Sequence, residues 1–89
     1  MKRVVVYYTG NVQGVGFRYT TESISRNFKV SGWVKNLKDG RVKLHSQGVD
    51  SEVNAFLDAI GEKLSANIHG FEMENADNKE DNIGFKISF

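Results

Sequence analysis

Cysteine and proline are both missing from this 89-residue chain. Without cysteine there is no disulfide, no thiolate nucleophile and no cysteine-ligated zinc. That suits a reducing cytoplasm, which is the expected location. Long apolar runs are missing too: nothing approaches the ~20 residues of a membrane-spanning helix. The basic start MKRVVVYYTG has too short an apolar stretch for a secretory leader and lacks a small-residue cleavage site. Neither membrane association nor secretion is expected. Repeats, low-complexity tracts and linkers are also absent, so residues 1–89 are read as a single domain. A domain this small buries little more than ~60% of its unfolded surface. Any chemistry is therefore expected on a surface loop or in a shallow cleft.

Charge of one sign is scarce overall but not locally. The net charge of +1 argues against bulk binding of nucleic acid. Residues 1–45 carry nine Lys/Arg against Glu22 and Asp39, a balance of +7. Residues 46–89 carry Lys63, Lys79 and Lys86 against nine Asp/Glu, a balance of −6. Either the basic half builds a site whose field gathers a small anion, or the two halves mix on a solvated surface.

What is present is a regular alternation of patterns. Arg3 to Thr9 (RVVVYYT) is β-branched and aromatic, which predicts a strand covered on both faces. Phe17, Thr21, Ile24 and Phe28 recur at helical spacing, although the intervening Ser and Thr are mediocre helix formers. Val30 to Asn36 and Arg41 to Gln47 read as a hairpin around Lys38-Asp39-Gly40. Val53, Phe56, Leu57, Ile60 and Leu64 form the stripe of a second helix, capped by Asp50 or Ser51. Ile68 to Glu74 predicts a strand, Ala76 to Asn82 a polar turn, and Ile83, Phe85, Ile87 and Phe89 a last strand. The order is β-α-β-β-α-β plus a terminal strand. Two helices on one face of an antiparallel sheet, a ferredoxin-like α/β sandwich of the α+β class, is the expected layer solution. Since that fold hosts many unrelated functions, function must come from the site.

The stretch NVQGVGFR, Asn11 to Arg18, lies where the first strand gives way to the first helix. Gly14 and Gly16 can take positive φ and turn successive N–H groups toward one anion. The helix start adds unpaired N–H groups and a positive dipole end. Arg18 can grip two phosphate oxygens at once. Neither the dinucleotide fingerprint nor the P-loop fits, because Tyr19 stands where a third small residue belongs and Gly-Lys-Ser/Thr is missing. On spacing alone, the glycines could equally serve only a tight turn, with Arg18 a surface charge.

VQGVGFR, Val12 to Arg18, together with GWVKNLKDGRV, Gly32 to Val42, resembles the two signatures of the acylphosphatase family, small enzymes that hydrolyse carboxyl–phosphate anhydrides. The separation of Arg18 and Asn36 is similar to the family's, and the likeness spans nearly the whole chain. The resemblance implies that Arg18 and Asn36 are catalytic. It further implies that the backbone of Gln13, Gly14, Val15, Gly16, Phe17 and Arg18 binds phosphate while Asn36 positions the attacking water. It implies a small acyl phosphate as substrate, a monomer, and no metal or cofactor. Three positions depart from the usual pattern: Ser25 for a common alanine, Gln47 for a common acidic residue, and Gly61-Glu62 near where Gly-Pro is frequent.

Other residues have plainer readings. Trp33 and the tyrosines Tyr7, Tyr8 and Tyr19 are expected to pack. His45 and His69 are expected to be surface or strand residues and not metal ligands. Glu72, Glu74, Asp77, Glu80 and Asp81 lack the spacing of a calcium loop and read as a solvated edge. Two competing functions follow from the same residues. One is the acylphosphatase-like module of a hydrogenase-maturation carbamoyltransferase, whose further zinc-binding and transferase parts 89 residues cannot hold. The other is an RNA-recognition domain, since QGVGFRY echoes an RNP motif. The echo falls in a turn and not on a central strand, so no nucleic-acid partner is expected.

Overall fold

The predicted patterns become seven elements in a computed structural model that describes residues 1–76 and 84–89. They are β1 (Lys2–Gly10), α1 (Phe17–Ser25), β2 (Val30–Asn36), β3 (Val42–Gly48), α2 (Asp50–Lys63), β4 (Ile68–Asn75) and β5 (Phe85–Ile87). The sheet order is β4-β1-β3-β2-β5. β1 pairs antiparallel with both β3 and β4, and β2 and β3 form the expected hairpin. β5 joins β2 in parallel. The result is the ferredoxin-like α+β sandwich, with one parallel pair in a mostly antiparallel sheet.

Alternation in the strands builds the core. Val4, Val6 and Tyr8 of β1, Val34 of β2, and Val42 and Leu44 of β3 are buried against Phe17 of α1 and Val53, Phe56 and Ile60 of α2. Removing each such side chain from water contributes ~1.5–3 kcal/mol. Among the described residues no helix is long and apolar enough to cross a membrane.

Four expectations need correction. The first concerns β1, whose Arg3, Val5 and Tyr7 are only half-buried, because both helices lie on one side of the sheet. The run of three valines reads as two-sided cover, yet only Val4 and Val6 go under the helices. The second is the end of α1, which stops at Ser25 and not Phe28. Arg26, Asn27 and Phe28 continue with N–H bonds three residues back, a tightened last turn typical of a helix end. Phe28 still faces Phe56 at 6.0 Å between ring centroids, so its apolar spacing reflects packing beyond the helix. The third is the start of α2, which follows Val49 with no side-chain cap. Asp50 is already helical and, with Glu52, offsets the helix dipole from the first turn. The fourth is the last strand, which is limited to Phe85–Ile87, with Phe89 beyond it and 96% exposed. Ile83 and most of the polar turn lie outside the described residues.

The departures fall within this frame. Ser25 is buried, and its hydroxyl donates to the carbonyl of Glu22. Gln47 is buried on β3.

The hairpin contains the tightest approach of two strands. Gly32 has φ +148°, and a Cβ there would sit 1.9 Å from the carbonyl oxygen of His45, a backbone atom that cannot step aside. Gly32→Ala is expected to cost at least ~3 kcal/mol. In a domain of this size that lowers Tm by more than about 10 °C, as calorimetry would read.

Candidate active site

Gly10 closes β1, and the chain then turns into the glycine stretch under several restraints. The Asn11 N–H donates to the Asn67 carbonyl at 2.9 Å, and the Asn67 side-chain amide returns a bond to the Asn11 carbonyl at 3.1 Å. Val12 is buried in the core. Gln13 reaches the β2–β3 connection, its Nε2 donating to the carbonyls of Leu37 at 2.7 Å and Arg41 at 2.9 Å. The loop is thereby fixed at both ends before it reaches Gly14.

Gly14 and Gly16 have φ of 75° and 76°, in the left-handed region that glycine favours. A Cβ at either position would meet nothing within 4 Å, so backbone conformation and not crowding demands glycine here. Gly16 is the N-cap of α1 and offers no side-chain acceptor. The first bond of the helix runs from Thr20 N–H to the Gly16 carbonyl at 3.0 Å. Among the described residues, no acceptor takes the N–H groups of Gly14, Val15, Gly16, Phe17 or Arg18. Left-handed residues flanking a loop residue, at a helix N-terminus, are what gather such groups into an anion-binding concavity. Gly14, Val15 and Gly16 are exposed, so the concavity is open to solvent.

The neighbours of this turn are divided between anchoring and chemistry. The Phe17 side chain is buried against Tyr8, ring centroids 5.3 Å apart, which leaves only its backbone on offer. Arg18 sits in the first turn of α1 and is half-buried. Its Nη1 donates to the Ser88 carbonyl at 3.2 Å, and its guanidinium carbon lies 4.8 Å from the centroid of the Phe89 ring. Ser88 in turn donates its N–H to the Val34 carbonyl of β2 at 2.8 Å.

That contact ties Arg18 to the end of β2 where Asn36 stands. Val34 is level with Ile87 in the parallel pair, so Asn36, two residues on, lies at the end of β2 toward which the chain runs on from Ile87 to Ser88 and Phe89. By alternation Asn36 shares the helix-side face of Val34. It pairs with Val42, which pairs with Tyr8 on β1, so the end of β2 and the exit from β1 lie on the same edge of the sheet. The Asn36 Oδ1 is buried and has no hydrogen-bond partner among the described residues. The backbone from Gln13 to Arg18 is thus contiguous, and the sheet brings Asn36 to the same corner.

Some participants carry no signal in the sequence. Nothing marks the Gln13 side chain as a tether, or Ser88 and Phe89 as the rest for the Arg18 guanidinium, because both depend on which strand ends meet. His45 lies in a strand as expected but is buried, its ring stacked on Trp33 at 5.7 Å and 20°. Asp39 in the hairpin turn accepts the Arg41 N–H at 3.0 Å and the Arg41 Nε at 2.8 Å. The backbone bond foremost, and then the guanidinium, hold its carboxyl below the usual aspartate range.

Comparison with known proteins gives a consistent result. The acylphosphatase family model matches residues 4–87. An acylphosphatase of Geobacillus thermodenitrificans is 40% identical over 90 residues, all of this chain and 96% of that protein. One from Archaeoglobus fulgidus is 43% identical over 74 residues, 81% of this chain and 82% of the relative. The crystal structure of acylphosphatase from Bacillus subtilis superposes over the whole of both chains with a TM-score of 0.88 at 28% identity. HypF of T. kodakarensis matches at a TM-score of 0.85 and 26% identity, but over only 12% of its own chain. With a matching family model, a full-length relative and the same fold around the glycine turn, this chain belongs to the acylphosphatase family and is an acylphosphatase.

Proposed function

We propose that the Gln13–Arg18 turn holds the phosphoryl group of a small acyl phosphate and that Asn36 aims the water that attacks it. The observation that carries this reading is the set of N–H groups from Gly14 to Arg18 that no acceptor among the described residues takes, in the turn that leads into the helix bearing Arg18. Their charge and direction suit three phosphoryl oxygens, and an arginine fork adds two parallel bonds that a lysine cannot.

The chemistry asks little else of the protein. The leaving group is a carboxylate whose acid has a pKa of roughly 4, so it departs without a proton donor. General-acid catalysis, typically worth 10²–10⁴, can be left out. What remains is alignment and neutralisation of charge on the equatorial oxygens, which pre-set N–H donors and a guanidinium supply. Water oxygen bonds to phosphorus as the bond from phosphorus to the acyl oxygen breaks. The carboxylate leaves with that electron pair, and the water proton passes to a phosphoryl oxygen of the substrate. Inorganic phosphate is the second product.

Asn36 suits the remaining task. A buried acceptor without a partner costs ~1–3 kcal/mol, so such an atom calls for a ligand or water that satisfies it. The Oδ1 accepts one water proton and leaves an oxygen lone pair free to face phosphorus. A carboxylate at this position would repel the incoming phosphate. The reading uses neither metal nor cofactor.

Three variants test the assignment with benzoyl phosphate hydrolysis followed in the ultraviolet. Arg18→Ala is expected to lose ~10³-fold or more in kcat/KM, and Arg18→Lys at least ~10²-fold. Near-normal rates in both would sink the proposal. Asn36→Ala should lose ~10²-fold in kcat while competitive inhibition by inorganic phosphate changes by less than about threefold. Gln13→Ala frees the loop from the hairpin. A loss of about tenfold in kcat/KM, with a fall in Tm of a few degrees, is expected as the donors drift from their target.

A further inference from the structure

We propose that the face of the sheet opposite the helices binds single-stranded nucleic acid, at a site separate from the phosphate cradle. Among the described residues no helix covers this face. By alternation it displays Arg3, Val5 and Tyr7 of β1, Lys43 of β3, Trp33 and Lys35 of β2, and Lys86 of β5, with His45 of β3 buried against Trp33.

Aromatic rings and cations interleave here. The Lys43 ammonium lies between two rings, 5.4 Å from the centroid of Tyr7 and 5.7 Å from that of Trp33. The Arg41 guanidinium carbon is 4.7 Å from the Tyr7 centroid, and the Lys35 ammonium is 5.5 Å from that of Trp33. Lys86 stands beside Trp33 in the β2–β5 register. Tyr7 and Trp33 are half-buried, with part of each still facing solvent. The register places them two strands and two residues apart, about 12 Å between Cα atoms. They can therefore take two different bases of one strand.

Charge selects the partner. Of Lys35, Arg41, Lys43 and Lys86, only Arg41 forms an ion pair among the described residues, with Asp39. The carboxylates on this face, Glu72 and Glu74, sit on the edge strand β4, with Glu72 directly beside Tyr7 and Glu74 beside Val5. The face is thus positive over β3, β2 and β5 and negative at its β4 border, so a polyanion is confined to the aromatic side. A groove of cations around aromatic platforms is the chemistry of single-strand binding. It is also the arrangement in which a four-stranded sheet stacks unpaired bases. The small net charge conceals this, because much of the basic excess of residues 1–45 gathers on one face. The glycine stretch, which echoes an RNP motif, takes no part.

Trp33 is the only tryptophan and reports directly on stacking. Titration with an oligouridylate of about twelve nucleotides is expected to quench its fluorescence with a Kd of about 10–100 µM at 100 mM salt. With four cations engaged, the log–log salt slope should be about −3, a weakening of about sevenfold between 100 and 200 mM. Tyr7→Ala and Lys43→Glu should each weaken binding at least about fivefold and leave benzoyl phosphate turnover unchanged. Lys86→Glu, on an exposed site, gives the same reading should Lys43→Glu disturb folding. Saturating inorganic phosphate should not compete. Absence of quenching up to 1 mM oligouridylate overturns the proposal. So does displacement by phosphate, which would place the strand in the cradle. Equal affinity for polyphosphate of matched charge also overturns it, since bases would then contribute nothing. The Arg18 and Asn36 variants judge the catalytic reading independently of all three.

Discussion

Unsatisfied main-chain N–H groups at the start of one short helix are the constraint on which this molecule depends. A buried or crowded donor without an acceptor is costly, so most helices cover theirs with a serine, threonine or aspartate side chain. Here the N-cap is Gly16, which has nothing to offer, and the donors stay open. The chain retains this arrangement by anchoring everything around it: Asn11 to Asn67, Val12 and Phe17 into the core, and Gln13 to two carbonyls of the hairpin. A thin core is enough for the purpose because the site is a turn and not a cavity.

Topology does the rest of the assembly. β1 is an interior strand between β4 and β3, so its exit lies beside β3 and one strand from β2. Asn36 is 18 residues from Arg18 in sequence and reaches the same corner only because β2 runs back beside β3. β5 then adds in parallel to β2 and brings Ser88 and Phe89 under the guanidinium. On the proposed reading, an arginine resting on a carbonyl and a ring has given up part of its rotamer freedom before substrate arrives, so less would be lost on binding.

Much of this was legible from residue patterns. Period-two alternation located all the antiparallel strands to within a residue or two, and the stripe from Val53 to Leu64 marked α2. The paired glycines before Phe17 pointed to positive φ, which both have. The errors share a cause. Val5 and Phe28 are apolar, and local pattern cannot say whether such a residue meets a helix, a ring or open water. Val49 stands at the N-cap and Asp50 is already helical, so the cap preference of Asp50 did not set where α2 begins. The Gln13 tether and the Arg18 rest were invisible for the same reason: each joins segments whose meeting only the sheet order specifies.

β4 is an edge strand of eight residues with no neighbour on its outer side among the described residues, and Phe71 and Met73 on it are exposed. Such a border would ordinarily recruit another chain and seed fibrils. Glu72 and Glu74 alternate with those apolar residues, so a second copy that laid its own β4 alongside would bring carboxylates close to carboxylates. The edge strand therefore carries its own electrostatic obstacle to such a pairing.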